Sequence, residues 1–157
     1  MLLQESNLFI LWYMQRHMKV EIDDASIKDF SKILENIFEK ILPIENTLVL
    51  RDYHVDNLFY LNERNYVQSV GIIDFQDALY GSTSYDLISI LEDVRRPISS
   101  ELKEEMINYY IEEVAENREQ IFLETEFFSI QRNLKILGIF CRLNYRDCLL
   151  YTSPSPR

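Results

Sequence analysis

Three short apolar runs, Leu48–Leu50, Leu58–Leu61 and Val70–Phe75, stand close together in the middle of the chain. Runs of three to six residues are too short for stable helices and fit short strands. Polar stretches separate them: residues 51–57 between the first two and residues 62–69 between the second and third. Each stretch reads as a loop or turn joining strands. The flanks follow a different period. Ile27, Phe30, Leu34, Ile37 and Ile41 recur at three- and four-residue steps, which predicts a helix over 26–41 ended by Pro43. Residues 2–18 read as an amphipathic helix, with Phe9, Trp12 and Tyr13 read as core by default or else as wall of a substrate cleft. Residues 76–84 read as a loop, and helices are predicted over 84–95, 99–116 and 120–147. The expected fold is therefore α+β, mainly helical, with a small β element whose loops are the natural place for chemistry.

Composition narrows that chemistry. The 157 residues are 47% hydrophobic and 27% charged, which suits one folded domain rather than a disordered chain. Asp and Glu number 26 against 16 Lys and Arg, a net charge of −10 that repels a phosphate backbone, so no nucleic-acid partner is expected. The three glycines, Gly71, Gly81 and Gly138, cannot supply a GxGxxG or GxxxxGK loop. Cys141 and Cys148 cannot build a four-ligand zinc site and suit a reducing compartment. The N-terminal apolar run is broken by Gln4, Glu5 and Asn7 and has neither a basic leader nor the length to span a bilayer. A cytoplasmic protein without a membrane partner is expected. Residues 148–157, CLLYTSPSPR, leave the helical pattern and read as a non-native tail, with 1–147 as one domain.

Asp52, Asn57 and Asp74 each end or follow a short strand. Taken singly, Asp52 and Asn57 are ordinary residues for turns and caps. Together they match what phosphoryl transfer needs. One carboxylate takes the proton of the attacking hydroxyl, while a side-chain amide oxygen and a second carboxylate hold magnesium against nucleotide phosphates.

The string Arg51-Asp52-Tyr53-His54-Val55-Asp56-Asn57 resembles the catalytic loop of the aminoglycoside phosphotransferase-like kinases, which have the protein-kinase-like fold. Asp74-Phe75-Gln76-Asp77-Ala78 resembles their metal-binding segment, and the longer string IDFQDALYGSTSYDLISILEDVRR is similar to bacterial kinases that phosphorylate N-acetylmuramate and N-acetylglucosamine at the anomeric hydroxyl. The resemblance covers roughly residues 1–147 and implies the C-terminal lobe of such a kinase, using ATP and Mg2+ on a small-molecule alcohol. It implies Asp52 as catalytic base and Asn57 and Asp74 as magnesium and nucleotide ligands. Asp86 would be a structural brace that accepts backbone hydrogen bonds from the catalytic loop. His54, Asp77 and Arg51 are candidates for substrate contact or support. Arg95 and Arg96 are expected to close a helix, and Asp56 to be a solvated or turn carboxylate. Leu50 replaces the histidine that many kinases carry before Arg-Asp, and an apolar side chain can pack there. No strand lysine with a partnering helix glutamate precedes the loop, so the chain is expected to be a kinase fragment with little activity of its own. Two alternatives stay open: another acceptor, such as an aminoglycoside, and a non-catalytic pseudokinase-like binding module.

Overall fold

The computed structural model describes residues 2–41, 47–82, 84–114 and 117–148. The non-native tail read from the sequence lies outside these residues from 149 onward. The chain divides into two compact units, one made of residues 1–41 and 129–157, the other of residues 42–128.

In the first unit, α1 spans Leu2–Leu8 and passes directly into a π-helical stretch, Phe9–His17. The wider winding shows in the Met18 amide, which donates to the Tyr13 carbonyl five residues back at 2.9 Å. The sequence predicts one continuous helix here, and the change of winding is a correction to it. The change begins where α5 (Arg118–Asp147) crosses closest. A Cβ added to Gly138 would sit 2.4 Å from the Leu8 carbonyl carbon and 2.6 Å from the Phe9 nitrogen, so only glycine admits the approach. Ile10 is the buried side chain of the stretch, while Phe9, Trp12 and Tyr13 are half-exposed rather than core. α2 spans Asp24–Ile41, two residues longer at its start than predicted, because Asp23 caps it by accepting the Ser26 amide at 2.7 Å. Leu34 is buried on the expected apolar face. Polar groups are buried here as well. Lys135 pairs with Glu5 at 3.3 Å, and Gln131, fully buried, donates to Glu5 at 3.4 Å.

The second unit holds the strands. β1 (Thr47–Val49), β2 (Leu58–Tyr60) and β3 (Val70–Ile72) follow the three apolar runs. A fourth, β4 (Leu79–Gly81), lies inside the stretch read as a loop and corrects that reading. The strands form two antiparallel pairs, β1 with β4 and β2 with β3. Leu48 lies opposite Tyr80 and Phe59 opposite Gly71. α3 spans Ser84–Leu91, ending four residues before the predicted stop, and α4 spans Ser100–Val114. The core gathers Val49, Tyr85, Ile88, Leu91 and Ile111 with Ile121, Phe127 and Phe128 from the first turns of α5. Tyr85 meets Phe128 edge to face at 5.3 Å between ring centres. The buried carboxylate of Glu124 accepts the hydroxyls of Ser82 and Ser84, the second at 3.2 Å, and so ties α5 to the start of α3. No helix of the described residues is long and apolar enough to cross a membrane.

Candidate active site

The site is built on the loop after β1. Leu50 ends the first apolar run, and the chain then turns sharply: the Asp52 amide donates to the Leu50 carbonyl at 2.9 Å across Arg51, whose φ is +71°. A bulky residue held in that region carries strain unless its surroundings secure it. Asp86, in the first turn of α3, supplies the hold. Its carboxylate accepts the Leu50 amide at 2.6 Å and the Arg51 amide at 3.0 Å. Tyr53 follows, and burial together with the Asp86 charge raises its phenol above the ordinary value, so it stays protonated. The loop closes in a 3-10 turn, Val55–Asn57, and the Asn57 amide nitrogen donates to the His54 carbonyl at 2.9 Å.

Asn57 is the hub. It is buried, 9% exposed, and its side-chain nitrogen donates to the Asp52 carbonyl at 2.9 Å. That bond orients the amide and makes Oδ1 its acceptor. The same nitrogen lies 3.3 Å from His54 Nε2 and 3.5 Å from Asp74 Oδ2. Asp74 follows β3, and the Ile73 amide donates to the Asn57 carbonyl at 3.1 Å, so the backbone itself joins the two loops. Asp74 has φ +62°, which turns its carboxylate out of the strand direction. Gln76 then donates to Asp74 Oδ1 at 2.6 Å. The sequence reading assigned Gln76 no role, and its signal was only its place two residues beyond Asp74 in a polar turn.

Asn57 and Asp74 thus meet, 17 residues apart in the chain. Asp52 reaches this group through its backbone carbonyl, and the residue is exposed. Asp77 lies exposed in the turn between Phe75 and Ala78 and, among the described residues, bonds to none of the other candidates. Arg51 contributes its backbone to the Asp86 brace. His54 bonds to Arg95, whose Nη1 lies 2.9 Å and 3.1 Å from the two ring nitrogens. Arg95 and Arg96 do not close a helix as predicted. They sit in the turn beyond α3, each 3.5 Å from Asp56, which is therefore ion-paired rather than simply solvated. The donor set offered by Asn57 Oδ1 and the Asp74 carboxylate consists of hard oxygens on two residues, which is what magnesium accepts while water and phosphate complete its shell. Among the described residues no cluster of three His, Cys, Asp or Glu side chains forms a self-sufficient metal cage.

The loop after β1, braced by Asp86, and the Asp74 carboxylate after β3 are joined through Asn57. The profile of the phosphotransferase enzyme family matches residues 3–121, and the chain belongs to that family. Among curated proteins it is similar to the N-acetylmuramate/N-acetylglucosamine kinase of Neisseria meningitidis serogroup B, 32% identical over 153 residues, covering 93% of this chain and 44% of that protein. It is also similar to the enzymes of the same name from Pseudomonas aeruginosa, 29% identical over 92% of this chain and 43% of that protein, and Caulobacter vibrioides, 32% identical over 90% and 39%. The chain spans about two fifths of the length of these relatives.

Proposed function

We propose that the chain is the catalytic-loop-bearing lobe of a kinase that transfers the γ-phosphoryl group of ATP to the anomeric hydroxyl of an amino sugar, N-acetylmuramate or N-acetylglucosamine. The observation that carries this reading is the meeting of Asn57 with Asp74 at 3.5 Å beside Asp52. The names of the relatives support the acceptor class. Asp52 takes the proton of the attacking hydroxyl, and its exposure leaves it open to an acceptor. Asn57 Oδ1 and the Asp74 carboxylate would hold Mg2+, and the ion would supply positive charge to offset that of the nucleotide phosphates. Asn57 keeps its oxygen directed by donating its nitrogen to the Asp52 carbonyl, and Gln76 steadies the Asp74 carboxylate. Asp86 holds the loop that presents Asp52, and Glu124 anchors the helix that carries Asp86.

The test is a phosphoryl-transfer assay on the full-length gene product that contains this chain, with N-acetylmuramate, N-acetylglucosamine and kanamycin as acceptors. Asp52→Ala is expected to lower kcat by about a hundredfold to ten-thousandfold with a smaller effect on acceptor KM. Full kcat in that variant would remove the base assignment. Transfer to kanamycin but to neither sugar would replace the acceptor.

A further inference from the structure

Two adjacent arginines in the turn beyond α3 reach back to the catalytic loop, and they are held differently. Asp93, a carboxylate only 4% exposed, shapes the turn. Its Oδ1 accepts the Arg95 amide at 3.0 Å and lies 4.0 Å from Arg95 Nε, and its backbone carbonyl accepts the Arg96 amide at 3.1 Å. A carboxylate so buried is costly unless a cation stands beside it, so the Arg95 guanidinium belongs to the fold. The Arg96 side chain does not. It is 64% exposed, and Arg96 joins the turn through its backbone amide. Among the described residues its Nη2 meets Asp56 Oδ1 at 3.5 Å, while Arg95 Nη1 lies 3.5 Å from Asp56 Oδ2. One carboxylate of the catalytic loop therefore keeps two like charges side by side. Both contacts are longer than the about 2.7–2.9 Å of a strong charge-assisted bond. A guanidinium also carries more N–H donors than one carboxylate oxygen uses, so Arg96 has donors left for a second anion.

N-acetylmuramate is N-acetylglucosamine with one hydroxyl converted to a lactyl ether, which ends in a carboxylate. The two acceptors proposed above thus differ by one negative charge, on the same ring as the reacting hydroxyl. A cation that reads the difference must stand beside the loop that carries the base. Arg96 does so: its partner Asp56 lies in the same 3-10 turn as Asn57, whose side chain bonds to the Asp52 carbonyl at 2.9 Å. We infer that Arg96 is a specificity-determining residue, pairing with the lactyl carboxylate and so favouring N-acetylmuramate over N-acetylglucosamine. The inference rests on the reading of Asp52 as base toward an amino-sugar acceptor. Nucleotide phosphates offer the same anionic chemistry, and the test separates the two sources. An ion pair as exposed as that of Arg96 with Asp56 contributes little to stability, so replacing Arg96 leaves the fold in place.

The test measures kcat/KM for each sugar and KM for ATP on the full-length gene product that contains this chain. Arg96→Ala should lower the ratio of kcat/KM for N-acetylmuramate to that for N-acetylglucosamine by about tenfold to a hundredfold, the size of a lost hydrogen bond to a charged group, and chiefly through KM. Arg96→Lys, which keeps the charge without the planar fork, should recover part of the ratio. Arg96→Glu should lower it further than Arg96→Ala, because like charges then face each other. A wild-type ratio in Arg96→Ala, whatever the absolute rates, would overturn the inference. So would a raised KM for ATP with both sugars affected alike, which would give Arg96 to the nucleotide. Transfer by the wild type to N-acetylglucosamine alone would also overturn it, with the acceptor class left standing. If N-acetylmuramate is the sole acceptor, its KM set against the KM for ATP serves in the ratio's place. No transfer to either sugar by the wild type would remove the acceptor reading and the inference with it. That outcome is separate from the case in which the wild type uses both sugars and Arg96→Ala keeps their ratio.

Discussion

Asp86 shows how one side chain sets the form of a loop it does not belong to. The Arg51 backbone sits at φ +71°, where a Cβ crowds the following carbonyl, and two amide hydrogen bonds to one carboxylate offset that cost. Hydrogen bonds to a charged acceptor contribute more than neutral ones. Asp86→Ala should therefore destabilise the chain by about 2–4 kcal/mol in urea unfolding. It should also increase hydrogen exchange at the Leu50 and Arg51 amides ahead of global unfolding. Retained protection of those two amides would show that the turn is held by something else. The acidic residue was visible in the sequence as a helix-start carboxylate, and the family resemblance implied a brace. Which two amides it holds, and the left-handed turn between them, follow from tertiary contact that no local pattern encodes. His54 is similar. The string placed it in the loop, but its pairing with Arg95 depends on where the chain turns after α3, 41 residues later.

At the level of elements, the periodic segments were legible and the departures have local causes. α2 was visible because its apolar residues recur on one face, and Asp23 explains the two extra residues at its start. β4 was not visible, since Leu79-Tyr80-Gly81 has no alternation of its own and is a strand only because β1 pairs with it. α3 ends at Leu91, and the Asp93 carboxylate draws the Arg95 amide into a turn just beyond it. The π-helical winding after Leu8 was invisible for a further reason: the close approach that accompanies it comes from Gly138, far along the chain. Gly138→Ala should lower the stability of the chain by about 1–3 kcal/mol, because the added methyl group meets backbone rather than a movable side chain. A variant with an unchanged unfolding midpoint would mean that α5 stands off farther than this. The α2 cap makes a prediction about pH. The Ser26 hydroxyl and amide lower the Asp23 carboxyl below its ordinary value of 3.8, so the cap stabilises the folded chain above the unfolded carboxyl's pKa. That contribution is lost as pH falls through the lower folded value. The Tm difference between wild type and Asp23→Ala should be full near neutral pH and shrink as pH falls below the ordinary carboxyl value of 3.8. A difference that stayed constant through that range would show that the carboxylate is not the capping group.

For the molecule as a whole, the β strands matter most. Among the described residues each strand has one neighbour, so both pairs present outer edges with backbone groups open to another chain. The same region exposes large apolar side chains: Tyr66 is 93% exposed, Val67 87%, Tyr80 77% and Tyr60 75%. Exposed side chains of this size beside open strand edges can meet another chain. With these exposed side chains and strand edges, the chain is expected to self-associate. The net charge of −10 opposes that association at low ionic strength, and added salt screens it. Sedimentation velocity should therefore show a monomer giving way to larger species as protein concentration rises, and earlier in high salt than in low. An environment-sensitive apolar dye should bind the same preparation. Replacing Tyr66 and Val67 together by Ser should reduce both signals while leaving the far-ultraviolet circular dichroism unchanged, because both side chains lie outside the core. A chain that stays monomeric across the concentration range in high salt, and leaves the dye unbound, would show that these strands are stable with open edges in water.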